Sequence, residues 1–192
     1  RESKVSVLEF AKDDLEFASQ FLPEDPSQVK DGKITKWTAL HLLTQILLQL
    51  GQNADAEISA NQIINSGYFQ LMTERFGTMS SEPGDVFYDM FLEGNVDRDE
   101  GNMESIWVIQ YEYEQDGGTK PSSWIRRQLH PFYERVPGLQ IADSLGGRGV
   151  GRVATLESFV NLYEENDIRA SKYNLWTKFY YNDPGGLPDG KN

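Results

Sequence analysis

The sequence predicts a mainly α fold with long ordered loops and one short strand. Two observations carry that reading: three apolar stripes at helical spacing in the first 75 residues, and their replacement beyond Phe76 by glycine-, serine- and aspartate-rich stretches. In the first stripe Leu8, Ala11, Leu15, Ala18 and Leu22 step by three and four, predicting a helix from Val5 to Leu22 that Pro23 and Pro26 stop. Thr35 is placed to cap a second helix with Ala39, Leu43, Ile46, Leu47 and Leu50 on one face and Gly51 as its left-handed stop. A third, from Ala54 to Asn65, turns Ala56, Ala60, Ile63 and Ile64 to one side and ends at Ser66-Gly67.

Ser105 to Tyr113 is rich in strand formers and predicts the short strand, with Trp107, Tyr111 and Tyr113 alternating onto one face. Those three rings are read as one side of the core in preference to a stacking platform. From Asp116 to Arg152 no period is sustained, which predicts long loops with a helical turn near Trp124. Leu156, Phe159, Val160 and Tyr163 predict a last amphipathic helix from Thr155 to Asn166. The aromatic tail with Trp176, Tyr180 and Tyr181 is read as packing. The chain is taken as a single segment, 1–192, with a helical part at 1–75, a loop-rich ligand part at 76–154 and a closing helix and tail at 155–192.

Thirty acidic residues against 18 basic ones give a net charge of -12, a field that repels nucleic acid and anionic lipid. Without cysteine there is no disulfide, thiolate metal site or cysteine nucleophile. No apolar stretch approaches bilayer length, so the chain is expected to be soluble as given, with any targeting signal upstream of Arg1.

Sugar recognition needs a flat aromatic face for the apolar side of the ring and planar polar groups for its hydroxyls. The stretch containing Trp124, Arg126, Arg127, His130 and Tyr133 offers all of these in the loop-rich zone and is the leading candidate ligand surface; the plainer role is to pin the loop to the helices. Asn95, Asp97 and Asp99 alternate like the start of a calcium loop, but Gly101 falls one position late and Ile106 stands where a bidentate glutamate belongs. A solvated acidic loop is the better reading, and no metal or cofactor is expected. Asp167 and Arg169 are read as a structural pair at the end of the last helix. His41 within a helix and the absence of a Gly-x-Ser-x-Gly turn leave no catalytic constellation, so the chain is read as not an enzyme.

The run Leu48 to Ala56 resembles the turn of a tetratricopeptide repeat followed by its small packing residue. Five segments together resemble the central region of the SusD/RagB family: Asp14 to Pro23; Gly32-Lys33-Ile34-Thr35-Lys36 opening the helix that ends at Gly51; Ala60 to Leu71; Glu104 to Gln110; and Leu162 to Arg169. Lys33 stands where that family usually has arginine. The resemblance implies tetratricopeptide-like helical hairpins in a cell-surface lipoprotein of the outer membrane, lipid-anchored upstream of this segment. It further implies that the loops bind an oligosaccharide or other small nutrient without cleaving it, and that the helices serve a TonB-dependent outer-membrane transporter. The rival from another class is a protein-interaction module with no small ligand of its own.

Overall fold

In the computed structural model, residues 2–30, 32–110 and 124–187 are described, the side chains of Trp124, Ile125 and Arg126 excepted. The chain forms two compact units, Arg1–Gln110 and Tyr111–Asn192. The architecture is mainly helical.

In the first unit α1 (Lys4–Phe21), α2 (Lys36–Leu50) and α3 (Asn53–Ile64) follow one another, and α2 packs against both neighbours. The reason lies in α2's composition: Trp37, Leu40, Leu43 and Leu47 are buried there and join Ala56 and Ile63 of α3 in one core. From α1 the expected stripe of Leu8, Ala11, Leu15 and Ala18, with Leu22 at its cap, is partly buried beside Glu9, Lys12 and Ser19. Its other side leaves Phe10, Phe17 and Phe21 exposed, with the last two rings 4.6 Å apart. The backbone N–H of Thr35 donates to Thr38 Oγ1 at 3.3 Å, fixing the start of α2, and Gly51 ends it in the left-handed conformation at φ 75°.

The third stripe is corrected in one position. Ile64 is exposed, and the buried row of α3 is Ala56, Ser59 and Ile63. Each residue advances 100° around a helix, so Ile64 falls outside the contact, while Ser59 is small enough to sit beneath α2.

Beyond α3 the chain winds through turns around a polar rather than an apolar interior. Asp89, at the end of the one-turn α4 (Val86–Asp89), is fully buried. It accepts from Arg75 Nε at 2.5 Å, Arg75 Nη2 at 2.9 Å and the Phe76 N–H at 3.2 Å. Asn95 is equally buried: its Oδ1 accepts from the Thr78 N–H at 2.9 Å, and its Nδ2 donates to the carbonyls of Asp89 at 3.0 Å and Phe76 at 3.3 Å. Asn102 Nδ2 donates to the Asn95 carbonyl at 3.1 Å. The acidic loop is therefore not solvated at Asn95, whose oxygen is committed to a backbone amide. Gly77 is required beside it, because a Cβ there would lie 1.9 Å from Asn95 Oδ1.

Among the described residues no strand forms. Ser105–Gln110 has no partner strand and is tied instead through side chains, while residues 111–113 lie outside the described residues. The Ser105 N–H donates to Asn102 Oδ1 at 3.2 Å, and Gln110 Nε2 donates to Asp97 Oδ1 at 2.6 Å. Propensity alone makes no strand without a neighbour to pair with.

The second unit holds α5 (Trp124–Leu129) and α6 (Glu157–Val160) among turns. The expected helix from Thr155 to Asn166 is thus one turn long. Of the expected stripe Leu156 and Phe159 remain exposed while Val160 and Tyr163 are partly buried, and a short segment that buries so little of its stripe does not propagate. After it Asp167 caps a single 3-10 turn, Ile168–Ala170.

Candidate functional site

The stretch from Trp124 to Tyr133 is arranged by burial of its last residue. Tyr133 is 4% exposed, and its hydroxyl donates to the Gly147 carbonyl at 2.9 Å while accepting from the Ala142 N–H at 3.2 Å. One phenol oxygen thereby closes the turn 142–147. The His130 ring meets Tyr133 edge-on at 5.4 Å, and Phe179 stacks on Tyr133 at 5.3 Å. Arg127 is half-buried, and the side chains of Trp124 and Arg126 lie outside the described residues. Of the five sequence-predicted site residues, His130 and Tyr133 are thus brought together, inside a packed aromatic group. In the tail Trp176, Tyr180 and Tyr181 are exposed rather than covered, although Trp176 meets Phe179 edge-on at 6.1 Å.

Phenylalanine at position 133 would leave both loop groups without their partner, at about 1–3 kcal/mol for each buried group orphaned. We therefore expect Tyr133→Phe to lower the melting temperature of the second unit, as followed by near-ultraviolet circular dichroism.

The Asp167–Arg169 pair is local, and it braces the 3-10 turn Ile168–Ala170 rather than the end of α6, which stops at Val160. Asp167 Oδ1 accepts from the Arg169 N–H at 3.0 Å and from its Nε at 2.8 Å. The guanidinium lies 5.5 Å over the Tyr163 ring. The hydrogen bond from Arg169 holds the Asp167 carboxyl below its ordinary value of 3.8. A depressed carboxyl stabilises above its unfolded pKa and loses that contribution as pH falls through its lower folded value. Nuclear magnetic resonance of the Arg169 Nε proton should accordingly show the turn intact near neutrality and released on acidification below about pH 4, with Asp167→Asn abolishing the transition.

A hollow surface with polar and aromatic walls lies in the first unit, around Trp107. The indole is 43% exposed, and its Nε1 donates to the Gly32 carbonyl at 3.2 Å, which fixes the ring's orientation. The Met72 N–H donates to Glu104 Oε2 at 2.9 Å, anchoring the approach to the Trp107 segment. On one side of the indole a groove runs along Lys30, Lys33, Asp97 and Arg98. On the other, a hollow of about 400 Å³ opens between Trp107 and Thr38, His41 and Leu42 of α2. That volume falls within the range of roughly 300–1,000 Å³ typical of small-molecule clefts. The His41 and Gln45 side chains meet at 3.0 Å at its rim.

Trp107 is therefore not a core residue. Alternation within an apolar run signals a ring on one face, but whether that face is covered depends on a neighbour that local sequence does not specify. The usable signal was the absence of a complementary run to pair with Ser105–Tyr113.

Compared with known proteins, the chain matches no family model, no curated protein and no solved structure. Among the described residues no group of three or more histidine, aspartate or glutamate side chains is placed to hold a metal ion, and no helix is long and apolar enough to cross a membrane.

Proposed function

We propose that this chain is a non-catalytic glycan-binding segment of a SusD/RagB-like, lipid-anchored surface protein that passes its nutrient to a TonB-dependent outer-membrane transporter. The observation that carries the glycan reading is the Trp107 surface: an indole held by Gly32, open to solvent and flanked by amine, guanidinium, carboxylate and imidazole groups. A sugar offers an apolar ring face and a belt of hydroxyls, and these are the two kinds of group the surface supplies. The helical hairpins α1–α2 and α2–α3 support a tetratricopeptide-like scaffold.

Titration calorimetry against plant, starch and host-type oligosaccharides, with product analysis of the same samples, tests the reading. Saturable binding without cleavage is expected, and Trp107→Ala should weaken it roughly tenfold, the effect of losing about 1–1.5 kcal/mol of ring contact. Cleavage products would make the chain a glycosidase instead. Unchanged affinity in a folded Trp107→Ala protein would remove the surface from consideration.

One observation favours a protein-interaction module as the second reading. The exposed rings of Phe10, Phe17 and Phe21 follow one another along α1 at spacings of seven and four, an apolar stripe that a partner helix would cover. Silence across the whole oligosaccharide panel would favour it.

A further inference from the structure

The groove beside Trp107 differs in charge from the rest of the molecule. The chain carries 30 acidic against 18 basic residues, whereas among the described residues the groove's walls hold Lys30, Lys33 and Arg98 against the carboxylate of Asp97. Asp97 keeps its negative charge in that wall, its Oδ1 accepting from the Gln110 amide at 2.6 Å, so the described walls hold three cationic side chains against one carboxylate. Asp25, whose charge also acts on Arg98, accepts from Ser27 at 2.7 Å and Gln28 at 2.8 Å, which hold its carboxylate in the charged form and offset part of that guanidinium.

Arg98 itself is incompletely used. Its Nη2 donates to the Tyr68 carbonyl and its guanidinium lies 5.2 Å over the Phe69 ring. Its Nη1 is shielded from water with no hydrogen-bond partner. The half-buried guanidinium still places a positive charge at the wall of the groove, where water screens it less than at an open surface. Two exposed lysines at the same groove extend that potential outward. An anion entering here meets attraction opposed to the molecule's overall field.

Resting on the glycan reading above, we propose that the groove selects acidic sugars, with the sugar ring against Trp107 and its carboxylate or sulfate toward Lys30, Lys33 and Arg98. Neutral sugars meet the same indole without the charge contribution. Selectivity is therefore electrostatic, and it weakens with added salt.

The test is calorimetry of the whole chain with three probes: unesterified oligogalacturonate, its fully methyl-esterified counterpart, and a sulfated oligosaccharide of similar length. Oligogalacturonate is expected to bind about tenfold more tightly than its ester, as a charge-assisted contact gives. The sulfated probe distinguishes the two anions. The double variant Lys30→Gln/Lys33→Gln, which alters exposed side chains alone, should erase most of the preference, and Arg98→Gln the remainder. Equal affinity for acid and ester, still lost in Trp107→Ala, would overturn the acidic selectivity and leave the glycan reading standing. Acid preference indifferent to both lysines and to Trp107 would overturn the placement in this groove. No binding by any probe or by the neutral panel would overturn both readings together.

Discussion

Replacing Asp89 with alanine should destabilise the first unit by about 3 kcal/mol, the lower end for removing one member of a buried ion pair because the Arg75 side chain is a quarter exposed. The carboxylate is fully buried and receives Arg75 in a two-pronged contact at 2.5 and 2.9 Å, together with the Phe76 N–H. Its loss leaves a guanidinium without its counter-charge and a backbone amide without an acceptor. Arg75 Nη1 and Nη2 keep the carbonyls of Glu82 and Met79 at 2.9 and 2.7 Å, so the loop 75–82 retains part of its tether. Urea unfolding monitored by far-ultraviolet circular dichroism measures the change; a shift within about 0.5 kcal/mol of wild type, the level of ordinary surface changes, would show that the pair is not the keystone of this region.

Asn95→Leu should cost about as much by a different route. Leucine keeps the branched skeleton of asparagine but leaves the Thr78 N–H and the carbonyls of Phe76 and Asp89 unpaired in the interior. At about 1–3 kcal/mol for each orphaned group, the sum is about 3 kcal/mol or more. Because Asn95 Nδ2 binds the Asp89 carbonyl at 3.0 Å, the two substitutions share a network. The double variant is therefore expected to lose less than the sum of the singles. The same urea titration reads this, and full additivity would show that the two side chains act independently.

The three long helices were legible because each buries a stripe on α2 or offers one to it, and a stripe repeats at a period the sequence displays. The single error within them, Ile64, arose where two adjacent isoleucines competed for one contact and only Ile63 could occupy it. The polar interior was not legible. Arg75, Asp89, Asn95 and Asn102 are separated by turns and obey no period, and each type alone is ordinarily a surface residue. The positive-φ glycines that punctuate this region, Gly77, Gly94 and Gly101, mark its turns but do not say which side chains fill them. The aromatic-basic run at 124–133 was conspicuous by composition, whereas the Trp107 surface draws Lys30, Lys33, His41 and Arg98 from distant segments that only folding brings together.

The end of α5 is held from a distance. The carbonyls of Arg127, Gln128 and His130 accept from the amides of Val150 at 2.8 Å, Val153 at 3.0 Å and Gly151 at 2.9 Å. A six-residue helix has too few internal bonds to persist alone, so its survival is delegated to a segment some twenty residues further along. Between the two lies the 142–147 turn, gathered on the Tyr133 hydroxyl. A single protease cut at the exposed Asp143–Ser144 bond would sever this covalent bridge without touching the helix. The newly freed end at Ser144 would make loss of the 150–153 segment easier, and with it the cover over the helix's last carbonyls. A nick at that bond would thus loosen a helix that the protease never touches.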